Sequence, residues 1–122
     1  MRAFVVEDDP EFRDVLTYVL EQAGWDVDVA DDGIAALGRI RRVIPDVIVL
    51  DLRMPNLDGV EVLKLLRSTD VGRRIPVVVA TGATIEPSVR ALATATLVKP
   101  FSMDELLRVV TEVTAAAKAR GP

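Results

Sequence analysis

The 122-residue chain contains no cysteine and no histidine. The first absence excludes a disulfide framework and any thiolate metal site, and the second removes the usual imidazole bases and ligands. Any chemistry must therefore use carboxylates, hydroxyls and amines. Basic balance is also missing: 15 Lys and Arg stand against 19 Asp and Glu, for a formal net charge of -4. A free-standing nucleic-acid binder usually neutralises phosphates with a basic face, so direct nucleic-acid binding is not expected. No apolar run approaches the roughly 18 residues of a membrane span. The start, MRAFVVEDDPE, carries four acids in five residues after a short apolar patch, which is no signal-peptide core. No membrane association and a cytoplasmic location are the expectations. With 50% hydrophobic and 28% charged residues, one globular domain is the default.

Short apolar runs alternate with amphipathic helical stretches in five pairs, a pattern of βαβ units around a parallel sheet. Ala3 to Val6 reads as the first strand, followed by the acidic turn Glu7, Asp8, Asp9 and by Pro10, suited to a first helical turn. Phe12, Val15, Leu16, Val19 and Leu20 keep helical spacing, and Gly24 closes that helix. Val27 and Val29 alternate with aspartates, suggesting a strand with one polar face near an edge. A helix capped at Asp31, Asp32 and Gly33 carries Ile34, Leu37 and Ile40. After the third strand, a helix over Val60, Leu63 and Leu66 runs to about Thr69, and Asp70 to Arg74 form a loop. Ile75 to Ala80 is the fourth strand. Pro87 opens a short helix in an Ala- and Thr-rich stretch with little period, and Thr96 to Val98 is the fifth strand. Ser102 and Glu105 form a capping box for a last helix over Leu106, Val109, Val110 and Val113. The domain is expected to span residues 1–117, with 118–122 a tail or the start of a linker.

The centre of this pattern is VIVLDLRMPNLDGVE, where the apolar strand from Val47 stops at Asp51. In open α/β sheets the carboxyl ends of strands are where ligands bind. Parallel topology brings Glu7 and Asp8, Asp51, Thr81 and Lys99 to that same edge. Each has a bland reading alone: a helix cap, a turn hydroxyl, a solvated lysine. Together, three carboxylates in one pocket repel one another unless a cation sits among them, and Mg²⁺ suits a pocket of oxygen donors without Cys or His. An ammonium and a hydroxyl opposite would complete a phosphoryl cradle, with Asp51 as the nucleophile that forms an acyl phosphate.

These residues carry a family resemblance. DLRMPNLDG resembles the D-x-x-M-P-x-x-D-G stretch of receiver domains in bacterial two-component response regulators. The acidic pair after strand one, D-G-x-x-A-L at Asp32 to Leu37, Thr81 after strand four and K-P-F at Lys99 to Phe101 agree with it, over residues 2 to about 117. The resemblance implies the flavodoxin-like doubly wound fold of the chemotaxis response regulator, five parallel strands in order 2-1-3-4-5 with about five helices. It implies that Asp51 accepts a phosphoryl group, with Asp8 a direct Mg²⁺ ligand and Glu7 acting largely through water. Arg53 would give its backbone carbonyl to the metal and overhang the site, while Thr81 and Lys99 would hold phosphoryl oxygens. Asp9 falls one place beyond the pair and is expected to cap a helix or present a docking surface. The Lys99–Pro100 bond is often cis in this family. The implied partners are a sensor histidine kinase or histidine phosphotransfer protein, then a downstream target or an output domain, with a homodimer also admitted by the family. The domain itself would be a switch, not an enzyme beyond its own phosphorylation and dephosphorylation.

Two departures concern output. The position three before the lysine, often aromatic, is Thr96, and the stretch from Thr81 to Lys99 is about one helical turn short, which shortens the fourth helix region. A degenerate receiver acting as a constitutive interaction module is therefore the main rival. A phosphohydrolase with an aspartyl nucleophile needs a second Asp where Arg53 stands. A nucleotide domain lacks its glycine fingerprint after strand one, and the acidic turn there would repel a pyrophosphate.

Overall fold

The structure, a computed structural model, describes residues 1–120. Its elements in chain order are β1 (Arg2–Val6), α1 (Pro10–Gln22), β2 (Asp26–Ala30), α2 (Gly33–Arg42), β3 (Val47–Leu50), α3 (Gly59–Arg67), α4 (Asp70–Arg74), β4 (Val77–Thr81), α5 (Pro87–Arg90), β5 (Ala95–Val98) and α6 (Met103–Arg120). The five strands form one parallel sheet in the order β2-β1-β3-β4-β5, as the resemblance implied. Three-layer packing follows from the strand residues. Successive side chains of β3 point to opposite faces, so Ile48 and Leu50 join Phe4, Val6, Val77 and Val79 under α2 and α3. Val47 and Val49 join Ala3, Val5, Val78 and Ala80 under α1 and α6. Every residue of β3 and β4 is buried, which is why both are almost wholly apolar and rich in Val and Ile.

Helix ends follow local chemistry. Asp9, Asp32 and Asp58 accept hydrogen bonds from the first amides of α1, α2 and α3. Gly24, at φ +97°, closes α1 in the left-handed region. The Ser102 hydroxyl accepts from the Glu105 amide at 3.1 Å, opening α6 as the sequence suggested. α6 continues to Arg120, past residue 117; Gly121 and Pro122 of the expected tail lie outside the described residues.

Some expectations change. Asp70 to Arg74 form a short helix, not a loop, because the Thr69 hydroxyl caps it by accepting from the Gly72 amide at 3.0 Å. Ile34 is 63% exposed: the inward positions of α2 are Gly33, Ala36 and Ile40, and the next residue round from Gly33 points to solvent. Val15 is likewise exposed beside the buried Leu16 and Leu20. The helix between β4 and β5 is four residues long, as short as the chain length there required.

Candidate functional site

The site assembles where the strands end. β1 leaves the sheet at Val6, and the Glu7 amide still donates to the Ala30 carbonyl (3.1 Å), so Glu7 is held as an extension of the strand. Its carboxylate is buried. Asp8 is exposed at the mouth, and Asp9 turns away to cap α1, accepting from the Glu11 amide at 3.1 Å. The Asp51 amide donates to the Val6 carbonyl (3.0 Å), which fixes the end of β3 beside the end of β1. Carboxylate oxygens of Glu7, Asp8 and Asp51 lie within 4.8 Å of one another.

The loop after Asp51 is shaped by the residues of DLRMPNLDG. Gly59 comes so close to the Asp51 carbonyl that a side chain there would collide with backbone. The Gly59 amide donates to Leu52 at 3.0 Å, and Met54 and Leu57 pack on the core. Asn56 adopts φ 65° and its amide nitrogen reaches Asp32 at 3.3 Å, joining the loop to the start of α2.

Asp51 is well supplied with donors. Its Oδ1 accepts from the Thr81 hydroxyl at 2.8 Å and from the Arg53 amide at 3.1 Å, and its Oδ2 from Lys99 Nζ at 3.1 Å. Lys99 Nζ also donates to Glu7 Oε1 at 2.8 Å. The Thr81 oxygen in turn accepts from the Ala83 amide at 3.1 Å. Lys99 is placed by its own amide, which donates to the Thr81 carbonyl at 2.9 Å; the Lys99–Pro100 bond that follows is cis. The sequence-predicted carboxylates, hydroxyl and ammonium are thus brought together; of Arg53, the backbone amide faces Asp51 and the side chain is exposed.

Beside the acidic turn the sequence offers Phe12 as a docking residue or a core residue; its ring lies 4.3 Å from Lys99 Nζ and meets Phe101 edge-on at 5.9 Å, so it is half-buried site wall. A second neighbour, Arg13, has no role assigned by the sequence. Arg13 donates to the Glu7 carbonyl at 3.1 Å. Their place in the first turn after the acidic pair was the available signal.

The charges are unequal. Burial pushes the Glu7 carboxyl up to about 7; the bond from Lys99 opposes this and the Asp51 charge adds to it. Burial would raise Asp51 too, but the Arg53 amide, the Thr81 hydroxyl, Glu7 and Lys99 outweigh it and hold Asp51 below the ordinary carboxylate range. Burial lowers Lys99, yet its two carboxylate partners more than compensate and raise it. A charged carboxylate is therefore presented among donors, beside oxygen ligands that fit a hard divalent cation.

Fold and pocket define a doubly wound α/β domain with an acidic, lysine-balanced site at the carboxyl ends of its strands. Residues 3–111 match the model of the response regulator receiver domain, and the chain belongs to that family. It is 41% identical over 111 residues to the response regulator MprA of Mycobacterium leprae, covering 88% of this chain and 48% of that protein. The chain thus spans about half the length of the curated relatives it matches. Among solved structures, the receiver domain of the sensor histidine kinase PA1611 of Pseudomonas aeruginosa, with magnesium coordinated in its active-site cleft, aligns at TM-score 0.86 and 30% identity over 93% of this chain and 97% of that one. The response regulator TrrA of Thermotoga maritima, in complex with Mg²⁺ and BeF, aligns at TM-score 0.84 and 29% identity over 92% and 97%. Among the described residues, no helix is long and apolar enough to cross a membrane.

Proposed function

We propose that Asp51 accepts a phosphoryl group from a phosphohistidine of a sensor histidine kinase or histidine phosphotransfer protein in the cytoplasm. The observation that carries this is the donor set on Asp51: one oxygen held by Thr81 and the Arg53 amide, the other by Lys99. An oxygen of Asp51 attacks phosphorus, an O–P bond forms as the P–N bond to the donor histidine breaks, and the histidine leaves with the electron pair. Lys99 then transfers its contact from Asp51 to a phosphoryl oxygen, and the Thr81 hydroxyl turns from Oδ1 to another. Glu7, Asp8 and Asp51, with the Arg53 carbonyl, would hold Mg²⁺, which supplies charge neutralisation for the incoming phosphoryl group.

The consequence is conformational. Thr81 holds the Ala83 amide, so a turned hydroxyl pulls on the connection from β4 to α5. That is the output step of the proposed switch, toward a downstream target or an output domain, with a homodimer as a further form. Residues 1–117 carry it. The test is labelling with acetyl phosphate and Mg²⁺: one added phosphoryl group per wild-type chain by intact mass, and none in Asp51→Asn. Equal labelling of that variant contradicts the assignment.

A further inference from the structure

At the end of the sheet opposite Asp51, the last turn of α2, the end of α3 and α4 enclose an apolar cleft of about 400 Å³. Leu37, Leu65 and Val71 line it over the buried Ile40, Leu66 and Ile75. A second cleft, of about 470 Å³, shares Ile44, Val71 and Ile75 with the first and continues to Ala117 and Lys118 of α6, so the two form one trough. Folding leaves Ile44, Val71 and Leu65 58%, 50% and 46% exposed, a contiguous apolar group of the kind that marks an interaction site.

Its rim is cationic in a chain of net charge -4. Arg41 lines the first cleft, and Arg74 and Lys118 the second. Among the described residues none of these three forms an ion pair, whereas Arg73 is paired with Asp70. The acid on the trough wall, Asp46, accepts the Arg2 amide at 2.7 Å. The trough is also pre-formed: Arg67 donates to the Gly72 and Ile75 carbonyls at 2.7 and 2.8 Å and so fixes α4 against α3.

We propose that this trough docks an acidic amphipathic helix of a partner protein, its apolar side chains seated between Ile44 and Val71 and its carboxylates against Arg41 and Arg74. A concave apolar floor between charged rims fits the convex face of a helix, and the rim selects its sign. A flat bilayer does not fill a concave trough. A second copy offers Val15 and Tyr18 between acids of α1, but that contact is head-to-tail and builds rings or filaments rather than a two-fold pair.

The test uses a designed helical probe of about four turns with one leucine face flanked by glutamates, and a twin flanked by lysines. Titrated into the ¹⁵N-labelled chain, the glutamate probe is expected to shift amides around Ile44, Leu65 and Val71 and to leave Asp51 unmoved. Binding is expected to fall about tenfold or more for the lysine twin and for Arg41→Glu combined with Arg74→Glu, and similarly for Ile44→Asp. Labelling at Asp51 by acetyl phosphate stays unchanged in these variants, and Ile44→Ser replaces Ile44→Asp if the latter lowers the melting temperature. The proposal is overturned by no shift at the trough or by equal binding of the lysine twin. It is also overturned by self-association that Ile44→Asp abolishes, or by sedimentation with phosphatidylglycerol vesicles without any response to the probe.

Discussion

The Thr81 hydroxyl donates to Asp51 Oδ1 at 2.8 Å and at the same time accepts from the Ala83 amide. It is buried, and it joins the acceptor to the start of the β4–α5 connection. Thr81→Ala is expected to keep acetyl phosphate labelling at Asp51 but to remove the phosphorylation-dependent shift of the Ala83 amide in a ¹⁵N spectrum. Thr81→Ser, which retains the hydroxyl, is expected to keep both. Loss of a bond to a charged acceptor also lowers stability by about 1–3 kcal/mol in the Ala variant, read by urea unfolding.

Lys99 stands between two carboxylates, and its removal leaves both with one cation fewer. Lys99→Met is expected to cost about 1–3 kcal/mol at pH 8, less than a fully buried pair because the lysine is partly solvated. At pH 5 Glu7 carries a proton, so the loss is smaller there. Added Mg²⁺ is expected to recover part of the pH 8 loss. Urea unfolding at both pH values, with and without Mg²⁺, checks this; an equal loss at both argues against charge as the cause.

Much of this was legible because the sheet is parallel and three of its strands are short, largely apolar runs that stop at a functional group. Val47 to Leu50 ends at Asp51, Val77 to Ala80 at Thr81, and Ala95 to Val98 at Lys99, and parallel order carries all three to one edge. Asp70 to Arg74 were not legible as a helix because five residues give no periodicity; only the cap at Thr69 reveals them. Ile34 misled because an apolar residue next to the inward stripe of a short helix fits the pattern within one position. The Phe12–Lys99 contact joins residues from opposite ends of the chain and has no spacing to read.

Arg67 is another such case, a half-buried guanidinium bonded to carbonyls rather than to an acid. It donates to Leu92, Gly72 and Ile75 carbonyls at 2.7–2.8 Å and to Thr94 Oγ1 at 3.3 Å. Burial lowers its pKa without a carboxylate to offset it. It anchors the short connection between β4 and β5 from outside. Arg67→Met removes this donor from the Leu92 and Ile75 carbonyls, while Gly72 keeps the bond from the Ile75 amide, and is expected to cost about 2–4 kcal/mol. Hydrogen exchange at the Thr94 amide, which is bonded to Val77, is expected to quicken more than exchange at Val49 in β3. Arg67→Lys, lacking the planar fork, should restore only part of the loss. Unchanged Thr94 protection in Arg67→Met would contradict the anchor.

Glu7 gives the metal-free protein an unusual pH profile. Burial raises it from 4.5 to about 7, so between those values the folded chain holds a proton that the unfolded chain releases. The stability this group contributes is complete below 4.5 and is lost as pH rises to about 7. Asp51 acts on the other side: held below 3.8, it contributes stability above that value and loses it only as pH falls through its lower folded pKa. From pH 5 to 7 the slope therefore belongs to Glu7, and the melting temperature without metal is expected to fall across it. Glu7→Gln should flatten that slope. Because a divalent cation needs the charged carboxylate, Mg²⁺ displaces the proton, and its apparent affinity is expected to rise with pH and level off above about 7. Titration calorimetry in buffers of different ionisation enthalpy counts the released proton. A wild-type melting temperature that rises from pH 5 to 7, or a slope that Glu7→Gln leaves intact, would remove Glu7 as the titrating group.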